Sequence, residues 1–513
     1  MWPHRDRRPT PWCRMSAPLA IGMWLVTCID GAFGQDPAFA LEESLTKIIA
    51  QAEVSVVSIA RIRPAPFEGV EARLNPLDRF RHPPNVPPTD PEDPDFQPNE
   101  FGAGIIISSP RGDDRLVLTN YHVVHGGPVG SELAAEDGTQ LFVRFADRRS
   151  CDAAIIAADP RSDLAVLRLA LHEAEIDPKE LKPLDWSVSA PVRKGQLVVM
   201  LGNPHALARD GSASASWGMI SNLARRPLPW TGDRISKVML YRLGNLVQID
   251  GRLNLGTSGG PCLNLKGELI GLTTSLAAIE GFEKSAGFAI PIDDLTRRIV
   301  KSLVAGQEVE YGMLGVAPSD VTPTAFRQLQ TGVKQASAAE AQEVTPDSPA
   351  ARAGILPGDI LLSVAGEPIL SEYDLMRIVG LHAPETEIEV VAWRRGRGQP
   401  FSVRVKLGKW PVFDDEGIIE TSPRFAPWRG LSVDYATGRR RYMDGAPFRR
   451  AVVVTKVAPG SPAQAAGLQP GVFITEVNRI PVQTPGEFHE AVKLVRRPVP
   501  VRLLEGTSVL IGE

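Results

Sequence analysis

The sequence has few cysteines and no marked excess of either charge, and both absences narrow the class of protein. Four cysteines in 513 residues are too few for a disulfide framework. Lys and Arg number 56 against 60 Asp and Glu, a formal net charge of −4, so no basic surplus indicates nucleic-acid binding. With 43% hydrophobic and 23% charged residues, the composition excludes collagen-like, wholly disordered and polytopic membrane proteins.

Long apolar runs are scarce, and the run at residues 17–29 has only 13 residues. A helix needs about 20 residues to cross the ~30 Å hydrocarbon layer. The run follows several arginines and precedes small residues at 32–34 with the spacing that a signal peptidase recognises. Residues 1–34 are therefore predicted to be a signal peptide, cleaved before Gln35, and the protein to be exported. An uncleaved signal anchor, which would tether the protein to a membrane, is the alternative.

Cleavage would leave two cysteines, Cys151 and Cys262. A disulfide between them requires Cα atoms within about 7 Å of each other. The alternative is that each is a small buried hydrophobic residue.

The chain after the leader is organised as short β-type segments. Residues 41–51 have helical spacing of apolar residues, whereas 61–99 contains ten prolines and cannot bury a core, which predicts a loop or extended segment. Turn residues separate further β-type runs at irregular spacing, a pattern typical of an all-β sandwich or barrel. These runs lie at 54–59, 101–108, 116–119, 141–145, 164–169 and 196–201.

The last third of the chain contains an internal repeat. Residues 344–354 (VTPDSPAARAG) match residues 457–467 (VAPGSPAQAAG), and the match continues through the Pro-Gly pairs at 357–358 and 470–471. Two copies of a unit of about 100 residues predict two separate small domains, because solenoid units are shorter and more numerous.

Ser258 lies among glycines in the segment 255–261 (LGTSGGP). A nucleophilic serine needs a tight turn whose amides can reach a developing oxyanion, and glycine permits that approach. The segment also fits the G-x-S-x-G elbow of α/β-hydrolases, but in that fold the Asp and His follow the Ser. Here the histidines after Ser258 are His382 and His489, both inside the repeats, so the elbow interpretation fails.

His122 and Asp163, which both precede Ser258 in the chain, can complete a catalytic triad with it. His122 follows the β run 116–119, and Asp163 immediately precedes the run 164–169. Each alone could be structural, but the order His, Asp, Ser in a β context is that of the chymotrypsin-type double barrel. His122 would accept the Ser258 proton and return it to the leaving amine, while Asp163 would orient the imidazole. The oxyanion hole would comprise the amides of Gly256 and Ser258, with or without that of Thr257. We predict no metal and no cofactor, because the histidines lack metal-ligand spacing and no phosphate-binding glycine loop is present.

Several motifs in order resemble the motif series of HtrA (Deg-type) serine proteases, over roughly residues 41–510. The segment 286–291 (AGFAIP) resembles the strand that closes that family's protease domain, and the repeats are similar to PDZ domains. The matching motifs are TNYHVV at 119–124, SDLAVL at 162–167, GNP at 202–204 and GTSGGP at 256–261.

The resemblance implies a mainly β fold, with a chymotrypsin-like double β-barrel protease domain followed by two small PDZ-type α/β domains. The protease domain would span 41–305, with the Pro-rich loop at 61–99. The two PDZ domains would span 306–409 and 428–513, joined by a linker at 410–427.

The resemblance also implies a function, that of an ATP-independent serine endopeptidase of the periplasm or cell envelope. It would degrade unfolded or damaged exported proteins and would assemble as a homo-oligomer, a trimer or a multiple of it. The alternative is a protease-latent chaperone or PDZ adaptor of the envelope. A purely structural envelope protein would leave the triad unexplained. The long loop at 61–99 could regulate access to the active site or assembly.

The resemblance implies roles for three sets of residues. The catalytic residues would be His122, Asp163 and Ser258. Thr257 replaces the family's usual Asn, and this change should be tolerated because only the backbone amide of the residue is needed. Backbone pairing with substrate falls to Thr274, Ser275 and Leu276. Peptide carboxylates would bind the loop of Leu314, Gly315 and Val316 in the first PDZ domain.

The second PDZ domain departs from this pattern. In the segment 430–433 Ser432 stands where the glycine is expected, and Val472 replaces the Asp359 of the first copy. Peptide binding and a packing role are both open for the second domain.

Overall fold

A computed structural model describes most of the chain from residue 37 onwards. The predicted signal peptide, residues 63–99 of the Pro-rich loop, and Ser275 and Leu276 lie outside the described residues. The described ranges are 37–62, 100–109, 114–125, 139–188, 191–203, 211–225, 246–251, 253–254, 256–274, 287–412, 417–443, 448–493 and 498–512.

The first domain begins with a helix and a barrel of antiparallel strands. The strand order is β5-β4-β1-β2-β3-β6, and pairing of β5 with β6 closes the ring. The inner face carries apolar residues that are almost fully buried, such as Ile59, Val117 and Leu167. The elements are α1 (Pro37–Glu53), β1 (Val56–Ile62), β2 (Glu100–Ser108), β3 (Arg115–Asn120), α2 (Tyr121–His125), β4 (Gln140–Phe145), β5 (Ser150–Asp159) and β6 (Leu164–Leu169).

A second closed barrel of six strands follows, in the order β10-β11-β12-β9-β8-β7. The helix α3 begins after Asp293, whose side chain accepts a hydrogen bond from Thr296 N, a regular N-cap. Two six-stranded barrels confirm the predicted chymotrypsin-like architecture. The elements are β7 (Leu197–Gly202), β8 (Ser214–Arg225), β9 (Leu246–Ile249), β10 (Pro261–Asn264), β11 (Leu269–Thr274), β12 (Gly287–Pro291) and α3 (Asp294–Val304).

The first repeat folds into a small α/β domain with the strand order β14-β15-β16-β18-β19. In its Ser-Pro-Ala motif, the Ser348 hydroxyl accepts from Ala351 N and Pro349 opens the helix, the favoured residues for an N-cap and first helical position. The elements are β13 (Gly312–Met313), β14 (Val316–Val321), α4 (Pro323–Leu329), β15 (Ala338–Val344), α5 (Pro349–Arg352), β16 (Ile360–Val364), β17 (Glu367–Pro368), α6 (Glu372–Gly380), β18 (Glu387–Trp393), β19 (Phe401–Lys406) and β20 (Gly408–Lys409).

The segment predicted to be a linker contains a short strand, β21 (Ile419–Glu420). This strand pairs antiparallel with Ala157 and Ala158 of β5 and so adds a seventh strand to the first barrel's sheet. Immediately after it, the amides of Thr421 and Ser422 donate to Gly306 O at 3.0 and 2.9 Å. The connection between the two repeats is therefore attached to the protease domain.

The second repeat has the same strand order as the first, β22-β23-β24-β26-β27. Its Ser461 hydroxyl accepts from Gln464 N, as Ser348 does in the first copy, so the repeated motif encodes the same helix start twice. The elements are β22 (Leu431–Tyr435), β23 (Val452–Val457), α7 (Pro462–Ala465), β24 (Phe473–Val477), β25 (Ile480–Pro481), α8 (Pro485–Lys493), β26 (Val499–Leu503) and β27 (Ser508–Ile511).

A cluster of buried charges joins the protease domain to both repeats. Lys409 Nζ lies 3.0 Å from carboxylates of Glu308 and Asp434, and Arg439 lies 2.7 Å from Glu308. The side chain of Lys409 is 2% exposed. Burial alone would raise the pKa of Glu308, but the charges of Lys409, Arg439 and Arg161 outweigh it and lower that pKa to about 2. Glu308 therefore stays ionised at neutral pH.

Removing the charge of Lys409 should destabilise this junction strongly. Lys409→Met removes the cation that lies between the buried carboxylates of Glu308 and Asp434, and breaking a buried pair in this way costs about 3–5 kcal/mol. The matched control is Lys406→Met, because Lys406 is 58% exposed and 3.8 Å from Glu385, and such a pair is worth about 1 kcal/mol or less. Native-state hydrogen exchange of β20 and β22 measures both effects. Equal exchange in the two variants would contradict a stabilising role for the cluster.

Candidate active site

His122 and Asp163 are brought together because β3 and β6 are neighbouring antiparallel strands. Asn120, the last residue of β3, pairs with Leu164, the first residue of β6. The carbonyl of Asp163 then accepts from Tyr121 N and from Asn120 Nδ2, both at 3.0 Å. These two bonds attach the turn before β6 to the start of the one-turn helix α2, which carries His122.

The carboxylate of Asp163 faces the His122 ring. His122 Nδ1 lies 2.9 Å from Oδ1 and 3.0 Å from Oδ2, and His122 N donates to Oδ1 at 3.1 Å. The Thr274 hydroxyl donates to Oδ2 at 3.4 Å. Because an ionised carboxylate only accepts, this arrangement holds the proton on Nδ1 and leaves Nε2 as the ring nitrogen that can accept one.

Asp163 occupies a constrained position. Its side chain is 1% exposed, and its φ of +56° lies in the left-handed region that non-glycine residues rarely adopt. Such a conformation persists only where the surroundings hold it. The hydrogen bonds to its carbonyl and carboxylate do so.

Ser258 lies in a turn that is fixed against the first barrel. Its carbonyl accepts from Ala103 N at 2.8 Å, and Gly259 N donates to Thr273 O at 2.9 Å. Ala103 O in turn accepts from the Thr119 hydroxyl at 2.7 Å. Thr119 is three residues before His122, so the serine turn rests on the strand pair β2–β3 whose end leads into α2.

Two glycines are sterically required in this turn. Gly256 has φ +93°, and a Cβ there would lie 2.1 Å from Asn203 O. Gly259 has φ +87°, and a Cβ there would lie 2.0 Å from Ala103 O. The amide of Thr257 donates to Asn254 O at 3.2 Å within the turn, so this amide is used locally.

In the first repeat, the loop of Leu314, Gly315 and Val316 leads directly into β14. Gly315 has φ +79°, and its carbonyl accepts from Thr345 N at 3.0 Å. Leu314 O accepts from Ala350 N at 2.9 Å. The helix α6 packs beside β14.

In the second repeat the structure corrects the predicted register. The glycine equivalent to Gly315 is Gly430, with φ +80°, and not the position of Ser432. Ala458 N donates to Gly430 O at 2.8 Å and Ala463 N to Arg429 O, as in the first copy. The alignment of the two repeats by sequence placed the loop glycine two residues too late, at Ser432. The reason is that Arg429 stands where the first copy has the apolar Leu314.

The remaining predicted residues fall in two groups. Thr274, predicted to pair with substrate, ends β11 and directs its hydroxyl at Asp163, a contact that the sequence did not indicate.

Cys151 and Cys262 are both free and buried, so the alternative that each is a small buried hydrophobic residue is correct. Burial raises the pKa of each thiol to about 12, and neither is a nucleophile at neutral pH.

Within the described part of the chain, no group of three or more His, Cys, Asp or Glu side chains is placed to hold a metal ion. In the same ranges, no helix has the length and apolar character needed to cross a membrane.

Comparison with known protein families agrees with this geometry. The family described as "Trypsin-like peptidase domain" matches residues 102–272, and the family described as "PDZ domain" matches residues 341–394 and 453–504. The class of the protein is therefore a trypsin-like serine peptidase that carries two PDZ domains.

Individual relatives narrow this class. A "Probable periplasmic serine endoprotease DegP-like" of Brucella suis is 30% identical, over 77% of this chain and 69% of its own. A protein of the same description from Pseudomonas fluorescens is 29% identical over 90% of both chains. The "Periplasmic pH-dependent serine endoprotease DegQ" of Escherichia coli is 29% identical over 80% of both. A solved structure, "HtrA-type protease AlgW with decapeptide", is 25% identical over 72% of this chain and 99% of that chain, with a TM-score of 0.48.

The chain belongs to the HtrA (Deg-type) family of serine endoproteases. This membership confirms the resemblance drawn from the motifs and the predicted enzyme class. The periplasmic location of the relatives agrees with the predicted export.

The steric argument at Gly256 leads to a test. Gly256→Ala must displace the segment that carries Ser258, and we expect peptide-bond hydrolysis to fall by about 100-fold or more, the range seen when one oxyanion-hole donor is lost. The matched control is Gly267→Ala, since Gly267 also has positive φ but a Cβ there meets nothing within 4 Å. Gly267→Ala should lower the free energy of unfolding by about 1 kcal/mol and leave the turnover rate unchanged. Full activity in Gly256→Ala would contradict the steric argument.

Proposed function

We propose that this endoprotease cleaves peptide bonds through His122, Asp163 and Ser258. The observation that carries the proposal is the 2.9 Å contact between His122 Nδ1 and the buried Asp163 carboxylate, beside the turn that holds Ser258. In that geometry His122 Nε2 is the base that activates the serine hydroxyl.

The reaction follows from these roles. Ser258 Oγ attacks the scissile carbonyl as Nε2 of His122 takes its proton, and the imidazolium then gives that proton to the leaving amine. Asp163 stabilises the imidazolium through Nδ1. Water, activated by the same base, hydrolyses the acyl-enzyme.

The oxyanion hole in this proposal consists of the amides of Gly256 and Ser258. Each such donor is typically worth ~3 kcal/mol in the transition state. The amide of Thr257 is left out because it donates to Asn254 O.

Substrates are proposed to be unfolded or damaged exported proteins. An extended chain can pair with the backbone near Thr274, Ser275 and Leu276, and a peptide C-terminus can bind the loop of Leu314, Gly315 and Val316 while adding a strand beside β14. The enzyme is proposed to work without ATP and as a homo-oligomer, a trimer or a multiple of it. The oligomeric assembly and these two subsites are carried over to this chain from the family that it resembles.

The alternative function, a protease-latent chaperone or PDZ adaptor, would gain support if Asp163 or His122 were displaced. The close contact between His122 and Asp163 favours the protease over this alternative.

Replacing the serine tests the proposed triad. Ser258→Ala should abolish casein digestion by the purified mature chain, residues 35–513, because no nucleophile remains. The matched control is Ser221→Ala, which removes a hydroxyl from the same barrel that donates to Gln248 O at 3.1 Å and should leave digestion unchanged. Residual cleavage by pure Ser258→Ala would refute the assignment of the nucleophile.

The loop of the first PDZ domain is tested with a peptide that ends in a hydrophobic residue. We expect this peptide to stimulate casein digestion by the wild type. Gly315→Ala should remove the stimulation, because a Cβ there would lie 2.4 Å from the Ser348 Cβ. Gly332→Ala is the control, since Gly332 also has positive φ with open space around it. Undiminished stimulation in Gly315→Ala would place the peptide site elsewhere.

A further inference from the structure

A second buried aspartate, Asp159, lies at the end of β5, four residues before Asp163. It is 1% exposed, and its carboxylate accepts hydrogen bonds from three groups. Arg161 Nε donates at 2.8 Å, Ser162 N at 3.1 Å and the Tyr311 hydroxyl at 2.5 Å. Two of these donors belong to the turn that ends at Asp163, so the turn is wrapped around the Asp159 carboxylate.

The third donor, Tyr311, lies outside both barrels. It follows α3 and comes one residue before β13, at the junction with the first PDZ domain, and it is 1% exposed. Burial, and then the charge of Asp159, raise the pKa of Tyr311 well above its ordinary value, so the hydroxyl keeps its proton and remains a donor.

Two arginines hold the Tyr311 ring in place. The guanidinium carbons of Arg161 and Arg298 lie 4.7 and 5.4 Å from the ring centroid. Arg161 also donates to Val309 O at 2.6 Å, and Arg298 donates to Glu310 O at 2.7 Å. The Tyr311 ring is therefore held from two sides, by Arg298 of α3 and by Arg161 of the turn that the hydroxyl contacts.

We propose that Tyr311 is a positioning residue for the catalytic triad. Its hydroxyl holds the Asp159 carboxylate, and through Asp159 it holds the turn that presents Asp163 to His122. Asp163 needs such support because its backbone has positive φ. The proposal rests on the triad proposed above, and Tyr311 itself touches neither substrate nor reacting atoms.

The test is Tyr311→Phe, which keeps the ring between the arginines and removes only the hydroxyl. In the purified mature chain, kcat for fluorescein-labelled casein should fall about tenfold while KM stays within about twofold, because small misplacements of catalytic groups reduce rate more than binding. The rate at which a fluorophosphonate labels Ser258 should fall in parallel.

The matched control is Tyr435→Phe. The Tyr435 hydroxyl donates to a Glu385 carboxylate at 2.6 Å, so this variant loses the same kind of bond between the two PDZ domains, away from the Asp163 turn. Its kcat should equal that of the wild type. Equal losses of kcat in the two variants would indicate general loosening of the domain packing and would overturn the proposal.

Asp159→Asn provides a second, independent variant. Its kcat should fall at least as far as that of Tyr311→Phe, and the double variant should be no slower than Asp159→Asn alone, because both changes act through one contact. Wild-type kcat in Tyr311→Phe, or additive losses in the double variant, would overturn the positioning role. Casein cleavage by Ser258→Ala would instead overturn the triad itself, so the two failures are distinguishable.

Discussion

The burial of the Asp163 carboxylate is the constraint on which the site depends. A buried charge is tolerated only when donors surround it, and here the donors come from both barrels. His122 supplies its amide and Nδ1 from the first barrel, and Thr274 supplies its hydroxyl from β11 of the second. All the hydrogen bonds to the carboxylate therefore form only when the two barrels are packed together. The geometry of the site thus depends on the packing of the protease domain.

The same physical rule governs the junction beyond the barrels. Glu308 and Asp434 are buried carboxylates whose counter-charges, Lys409 and Arg439, come from two different PDZ domains. Arg161 connects this cluster to the turn that carries Asp163, since it lies 3.8 Å from Glu308 and 2.8 Å from Asp159. Apolar contacts would allow many docking angles, but paired buried charges leave few, because any displaced partner becomes an unpaired charge.

Local sequence patterns predicted the barrels and the repeats, because each depends on neighbours in the chain. They also singled out the three residues that we propose as the triad. The strand β5 was missed, since its segment 150–159 has four alanines and only two β-branched residues, Ile155 and Ile156, whereas β-branched residues mark a strand. The strand β21 and the cluster around Lys409 could not be predicted at all. They depend on pairings between residues far apart in the chain, such as Lys409 with Asp434, 25 positions apart, and Ile419 with Ala158, 261 positions apart, and no periodicity encodes such distances. The sequence did not identify Gly430 as the equivalent of Gly315, because the residue before it is Arg429 and not an apolar residue such as Leu314.

The two PDZ domains share a fold but use equivalent positions differently. In the first, the residue before the loop glycine is Leu314, an apolar side chain that is 3% exposed and packs in the core of its own domain. In the second it is Arg429, whose guanidinium donates to the carbonyls of Ile511 and Gly512 at 2.8 and 2.6 Å, so this side chain is committed to its own domain. The second domain also supplies Asp434 and Arg439 to the buried junction, where Asp434 pairs with Lys409 and Arg439 pairs with Glu308. The second domain therefore uses the position equivalent to Leu314 for contacts within its own fold, and it shares a buried charge cluster with the first domain. Both observations favour a packing role for the second domain.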